Sequence, residues 1–188
     1  AARYRGVFQE LLEFHLALFS GQKREQKQGG IAFNRCDAID RFVCNLPFEL
    51  TDAQVRVFNE IYTDMTLDIP MNRLVQGDVG SGKTVIAAMA MLVALESGYQ
   101  VAMMAPTGIL ARQHFQTITG LLKGFPYRVG LLTGGMPQKQ AKEILEELKN
   151  GFLHVVIGTH ALIEDKVAYD NLGLVITDEQ HRFGVRQR

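Results

Sequence analysis

Gly77-Asp78-Val79-Gly80-Ser81-Gly82-Lys83-Thr84 is a complete G-x-x-x-x-G-K-[ST] phosphate-binding loop. It follows the short apolar run Leu74-Val75 and opens a helical stretch predicted over 83–97. That strand–loop–helix setting is what the motif requires. The glycines let the backbone curl until successive N–H groups converge on phosphate oxygens, and the helix N-terminus adds its partial positive charge. Lys83 can then reach the β- and γ-phosphates, while the Thr84 hydroxyl can hold Mg²⁺.

From Arg73 onward the sequence alternates strands and helices. Apolar runs place strands near 73–76, 100–105, 128–132, 153–157 and 173–177, with helices near 83–97, 108–122 and 137–150. Gly98 and Gly151 stand just past two helix ends, where C-terminal caps belong. Val155-Val156-Ile157 and Leu174-Val175-Ile176 are continuously apolar, as strands covered on both faces are. The alternation predicts an α/β fold built on a parallel sheet with right-handed crossovers. The helix over 137–150 carries mixed charges on its wet side, which reads as a solvated face.

The amino-terminal part reads differently. A helix with a broad apolar face is expected over 3–19, then a polar linker over 22–30 with Lys23, Arg24 and Lys27. A second helix is expected over 37–46, with Ile39, Phe42, Val43 and Leu46 at i, i+3, i+4 and i+7. Pro47 stops it. Thr51-Asp52-Ala53-Gln54 is a capping-box pattern, and Val55, Phe58, Ile61, Tyr62 and Met65 fall on one face of the helix it opens. The domain reading is therefore a helical extension over 1–47 and a sheet domain over 48–188.

Composition sets few limits. The 188 residues are 47% hydrophobic and 21% charged with zero net charge, ordinary for a globular domain. A basic balance would have supported nucleic-acid binding; a local basic strip can still supply it. Cys36 and Cys44 form no C-x-x-C pair, so a zinc ribbon is excluded and two buried thiols in a reducing, cytoplasmic setting are expected. No run of 18 apolar residues is available to span a membrane. The start, Ala1-Ala2-Arg3-Tyr4, carries neither an initiator Met nor a signal-peptide pattern, and the chain is expected to begin inside a longer protein.

A second constellation lies far from the loop. Leu172-Gly173-Leu174-Val175-Ile176-Thr177 is a strand ending in two acids, Asp178 and Glu179. It looks like the second phosphate-site motif of ATPases. Asp178 would bind Mg²⁺, since a hard cation prefers oxygen ligands, and Glu179 would polarise an attacking water. Ligands of open α/β sheets collect at the carboxyl ends of strands, so the two motifs can meet there. The bland alternative is a surface turn with two solvated acids.

Asp178-Glu179-Gln180-His181 resembles the Asp-Glu-x-His box of superfamily 2 helicases. The longer string Asp178–Val185, with Pro70-Met71-Asn72-Arg73-Leu74 before the loop and Gly158-Thr159-His160-Ala161-Leu162-Ile163, is similar to the RecG-type DNA helicases over nearly the whole chain. Ser81 and Gln180 favour that family over the related transcription-repair coupling translocases. The resemblance implies a RecA-like first motor domain that uses ATP and Mg²⁺, preceded by a helical linker from a wedge domain. It implies an adenine contact from Gln54, with Phe48 and Leu50 near the base; the rival reading has Gln54 only closing its capping box. It implies sequence-independent gripping of DNA phosphates by Pro106 and Thr107, by Thr133 and Gly134, and by Thr159 and His160, although each pair also reads as an ordinary sharp turn. The family has glutamate where Gly108 stands, which leaves that first grip less defined. His181 would couple the nucleotide side to the DNA side.

The resemblance further implies a second motor domain with arginine fingers, outside this chain. An arginine finger is worth about 10³–10⁵ in rate, so the chain by itself is expected to bind nucleotide weakly and hydrolyse it negligibly. The implied whole is a bacterial-type, nucleoid-associated helicase that remodels branched DNA such as stalled forks and Holliday junctions. Its rivals are a translocase that pushes RNA polymerase and, more remotely, a P-loop kinase or transport ATPase.

Overall fold

The structure, a computed structural model, describes residues 29–34 and 36–179. The helix expected over 3–19, nearly all of the linker over 22–30, and Gln180 and His181 lie outside the described residues.

Four parallel strands form the sheet: β1 (Gln100–Met104), β2 (Val129–Leu132), β3 (Val155–Gly158) and β4 (Leu172–Thr177), in the order β2-β3-β1-β4. Val101 pairs in register with Val155 and Leu174, and Met104 with Gly158 and Thr177. Among the described residues five α-helices accompany it: α1 (Ala38–Cys44), α2 (Asp52–Met65), α3 (Lys83–Glu96), α4 (Gly108–Leu121) and α5 (Gln138–Lys149). A 3₁₀ turn spans His160–Ile163. The expected α/β architecture is present.

The period of two along each strand sorts the core into two layers. Val101 and Met103 of β1, with Val155 and Ile157 of β3, face α3 and α4. Ala102, Met104 and Val156 face the opposite way, against Leu148 of α5 and Leu162 of the 3₁₀ turn. The helix α3 is apolar on all sides, Val85 to Leu95 being buried save Ala87, because α1, α2 and α4 pack around it as well as the sheet. Phe33, Cys36, Ala38 and Phe42 join the same cluster, so the segment before and within α1 shares the core of the sheet domain.

The local signals act as read. Thr51 Oγ1 accepts from Gln54 N at 3.3 Å and Gln54 Oε1 accepts from Thr51 N at 2.8 Å, closing the capping box of α2. Phe58, Ile61 and Met65 of the expected face are then buried, each contributing about 2 kcal/mol, whereas Tyr62 is half-buried and Val55 is exposed. Gly98 and Gly151, both at positive φ, terminate α3 and α5. In each case the following N–H reaches back to a helix carbonyl: Tyr99 N donates to Ala94 O and Phe152 N to Glu147 O.

Four expectations are corrected. Residues 73–76 form no strand: Arg73 is tied instead to Glu60 and Asp64 of α2, at 2.7 Å each, and the segment has no ladder partner among the described residues. β4 is consequently an edge strand in the described sheet, and Val175, expected to be covered, is 59% exposed. The fourth apolar run forms its strand at 155–158 instead of 153–157, since the Leu153 N–H is still bonded back to Glu147 O of α5 at 3.1 Å. Cys36 is buried as expected, but Cys44 is exposed at the end of the short α1.

Candidate functional site

Parallel strands end on the same edge of a sheet, so the residues after β1, β2, β3 and β4 are neighbours by construction. Those residues are Pro106 and Thr107, Thr133 and Gly134, Thr159 and His160, and Asp178 and Glu179. The helix α3 leads by a short turn into the start of β1, so its own N-terminus lies at that same carboxyl edge. The glycine-rich loop and the distant acids therefore share one rim of the molecule.

The loop itself is open to solvent, with Asp78, Val79, Gly80 and Ser81 exposed. Gly80 and Gly82 lie at φ 81° and 83°, a left-handed conformation that glycine alone adopts freely. Gly82 is the N-cap of α3 and brings no capping side chain; Val85 N donates back to Gly82 O at 3.0 Å, which leaves the Lys83 and Thr84 N–H groups available to an anion. A Cβ at Gly82 would collide with the Gln54 side-chain amide.

Two side chains hold the loop in shape. Lys83 Nζ donates to the carbonyls of Gly77 and Asp78, both at 2.8 Å. Gln54 Nε2 donates to Ser81 O at 2.9 Å while its Oε1 serves the capping box. The capping-box reading of Gln54 holds, and the box fixes its amide against the loop. Phe48, half exposed, and Leu50 line an open apolar groove of about 890 Å³ with Val43, Leu46, Val55 and Phe58. The residues of the phosphate loop do not line that groove.

At the end of β4, Asp178 is fixed twice. Its N–H donates to Met104 O at 2.8 Å, extending the β1–β4 ladder by one step. Its Oδ2 stands 2.7 Å from His114 Nε2, on α4. Glu179 follows at φ 47°, the one non-glycine residue at positive φ among the described residues. That conformation costs about 1 kcal/mol or more and re-aims the second acid relative to the strand. Thr177, the last residue of β4, is exposed, so its hydroxyl needs no protein partner.

Thr107 caps α4, its Oγ1 accepting from Leu110 N at 3.3 Å. Thr133 and Thr159 are buried, 8% and 5% exposed, whereas Gly134 and His160 are on the surface. The Thr159 hydroxyl has no hydrogen-bond partner among the described residues. Sequence reasoning missed His114. A lone histidine in a helix gives no local signal, and its partner lies 64 positions away.

A family model described as DEAD/DEAH box helicase matches residues 51–188. The chain belongs to the DEAD/DEAH box helicase family. It is 50% identical, over its whole length, to the ATP-dependent DNA helicase RecG of Bacillus subtilis, covering 28% of that protein. It is 48% identical to the RecG of Aquifex aeolicus, with 98% of this chain and 23% of that one covered. The chain thus spans about a quarter of the length of the curated relatives it matches. Among solved structures it superposes on RecG bound to a three-way DNA junction with a TM-score of 0.88 and 47% identity, covering 94% of this chain and 24% of that one. The UvsW helicase of bacteriophage T4 shares the fold at a TM-score of 0.60 and 15% identity, over 83% of this chain and 55% of that one. No described helix is long and apolar enough to cross a membrane.

Proposed function

We propose that this DEAD/DEAH-family domain is the first motor domain of a RecG-type, ATP-dependent DNA helicase that remodels branched DNA. The observation that carries the reading is the shared rim: the phosphate loop, the two acids and three strand-end turns all meet at one carboxyl edge of the sheet. The 47% identity to a RecG held on a three-way junction supports branched DNA as the substrate. A second motor domain and a wedge domain of the same protein are proposed as its partners, in a cytosolic, nucleoid-associated setting.

The residues fit a magnesium–nucleotide ligand. Thr84, in the first turn of α3, and Asp178 both offer hard oxygen donors, and Mg²⁺ takes one or two such protein ligands together with phosphate oxygens. When bound, the ion supplies charge neutralisation at the β- and γ-phosphates. Lys83 exchanges its two loop carbonyls for phosphate oxygens, which are stronger acceptors for an ammonium group. Gln54, held by the capping box, presents its amide beside the loop for an adenine edge. Glu179 orients the attacking water. Pro106, Thr107, Thr133, Gly134, Thr159 and His160 grip a strand through backbone and hydroxyl groups, which carry no sequence information. His181 links the two sides.

The test is ATP hydrolysis by the whole protein, with and without a forked DNA. The expected result is hydrolysis stimulated by forked DNA, fork unwinding, and loss of both in Lys83→Ala. Hydrolysis indifferent to DNA would favour the kinase or transport reading. Displacement of stalled RNA polymerase without fork unwinding would favour the coupling-translocase reading.

A further inference from the structure

We propose that His114 is a positioning residue that orients the Asp178 carboxylate and ties it to the helix capped by Thr107. This rests on the nucleotide reading above and goes beyond the recognised motifs, none of which includes His114. The contact is short, with Nε2 2.7 Å from Oδ2, and its side chains are 15% and 30% exposed. Water therefore competes weakly for it. An ionised carboxylate offers about four lone-pair sites, so a donor on Oδ2 leaves the remaining sites to a cation or its water. With the backbone N–H of Asp178 already held by Met104 O, the imidazole removes the remaining freedom of the side chain.

The same contact spans two functions. His114 lies seven residues after Thr107, two turns along α4 and about 10 Å along its axis. Ala111 and Ile118 are fully buried, which seats the helix on the sheet as one body. A displacement of the α4 N-terminus on gripping a DNA strand moves His114 with it, and through Nε2 the acid at the end of β4. Side chains that orient metal-binding carboxylates typically change metal affinity 10–100-fold when removed.

The experiment measures binding of a fluorescent ATP analogue to the whole protein, with and without Mg²⁺, in wild type, His114→Ala and His114→Gln. The glutamine amide nitrogen reaches the place of Nε2 and keeps a donor there. Expected is a 10–100-fold loss of the Mg²⁺-dependent affinity in His114→Ala, unchanged Mg²⁺-free affinity, and recovery of most of the loss in His114→Gln. The ratio of DNA-stimulated to basal hydrolysis should fall in His114→Ala and return in His114→Gln. Wild-type Mg²⁺ dependence in His114→Ala overturns the proposal. So does an equal loss with and without Mg²⁺, or a glutamine variant that melts like wild type yet binds like alanine. Normal DNA stimulation despite weakened Mg²⁺ dependence overturns the link to α4. Wild-type protein that fails to bind the analogue, or a Lys83→Ala variant that binds it equally well, sinks the nucleotide reading itself and this inference with it.

Discussion

Replacing Gln100 by leucine should cost about 3 kcal/mol of stability although the residue touches neither candidate ligand. Gln100 opens β1 and is 4% exposed. Its Nε2 donates to Leu148 O at 2.8 Å and Leu153 O at 2.7 Å, and its Oε1 accepts from Asp170 N at 2.8 Å and Asn171 N at 3.0 Å. One carboxamide thus joins the end of α5 to the entry of β4. Each buried backbone group stranded by the substitution costs about 1–3 kcal/mol. Leu153 O bears most of that, since Leu148 O keeps a longer bond from Gly151 N at 3.3 Å and water reaches the part-buried N–H groups, and leucine returns about 1 kcal/mol through added apolar burial. Urea unfolding of the 188-residue chain, followed by far-UV circular dichroism, reads this directly. With a slope of about 2 kcal/mol per molar, the midpoint should fall by about 1.5 M. Gln100→Glu should do no better, because a carboxylate satisfies the two N–H groups but turns an acceptor toward two carbonyl oxygens. A midpoint for Gln100→Leu within about 0.3 M of wild type would refute the reasoning that these four bonds are unreplaced.

Two further outcomes follow from groups outside the rim. His154 accepts from Arg128 N through Nδ1 at 3.1 Å, and burial, then the Arg128 charge, hold its pKa below the ordinary 6.5. A depressed histidine favours the neutral ring, so its contribution is fully present above pH 6.5 and is lost as pH falls through the folded value; NMR titration should place the His154 midpoint below 6.5, and His154→Gln should flatten stability across that window. Of the two thiols, exposed Cys44 should react rapidly with a thiol reagent while Cys36, buried and with its pKa pushed up by burial, should react only after urea is added.

Much of this organisation was legible because it is written in local chemistry. The alternation of apolar runs and amphipathic stretches identified four strands that exist, since each of those runs finds a parallel neighbour. The segment at 73–76 failed because a strand is a property of a pair. Leu74-Val75 is apolar enough, yet Arg73 answers to Glu60 and Asp64, and no period analysis sees that. The capping box was readable because Thr51 and Gln54 are three residues apart. The contacts of Gln100 and His114 were not, because their partners lie 48 to 71 positions away. Glu179 shows the same limit for backbone: nothing in its identity announces a positive φ.

The structure also explains why the loop needs both Lys83 and Gln54 before any ligand arrives. A glycine-rich segment with exposed backbone loses much conformational entropy when it is held in one shape. Here the ammonium group of Lys83 spans Gly77 and Asp78, and the Gln54 amide holds Ser81, so three loop carbonyls are already occupied by donors. Those carbonyls are thereby already bonded to donors, and at the start of α3 the Val85 N–H is taken by Gly82 O at 3.0 Å, which leaves those of Lys83 and Thr84 to meet an anion. A phosphate at the proposed site would have only to exchange with Lys83, while Gln54 keeps its grip through the capping box of α2. The ordering is thus largely complete beforehand, which is the general route by which a preformed site gains affinity. On this argument the capping threonine belongs to the proposed nucleotide site, though it lies outside the glycine-rich loop: without Thr51 the glutamine that braces Ser81 has no fixed base.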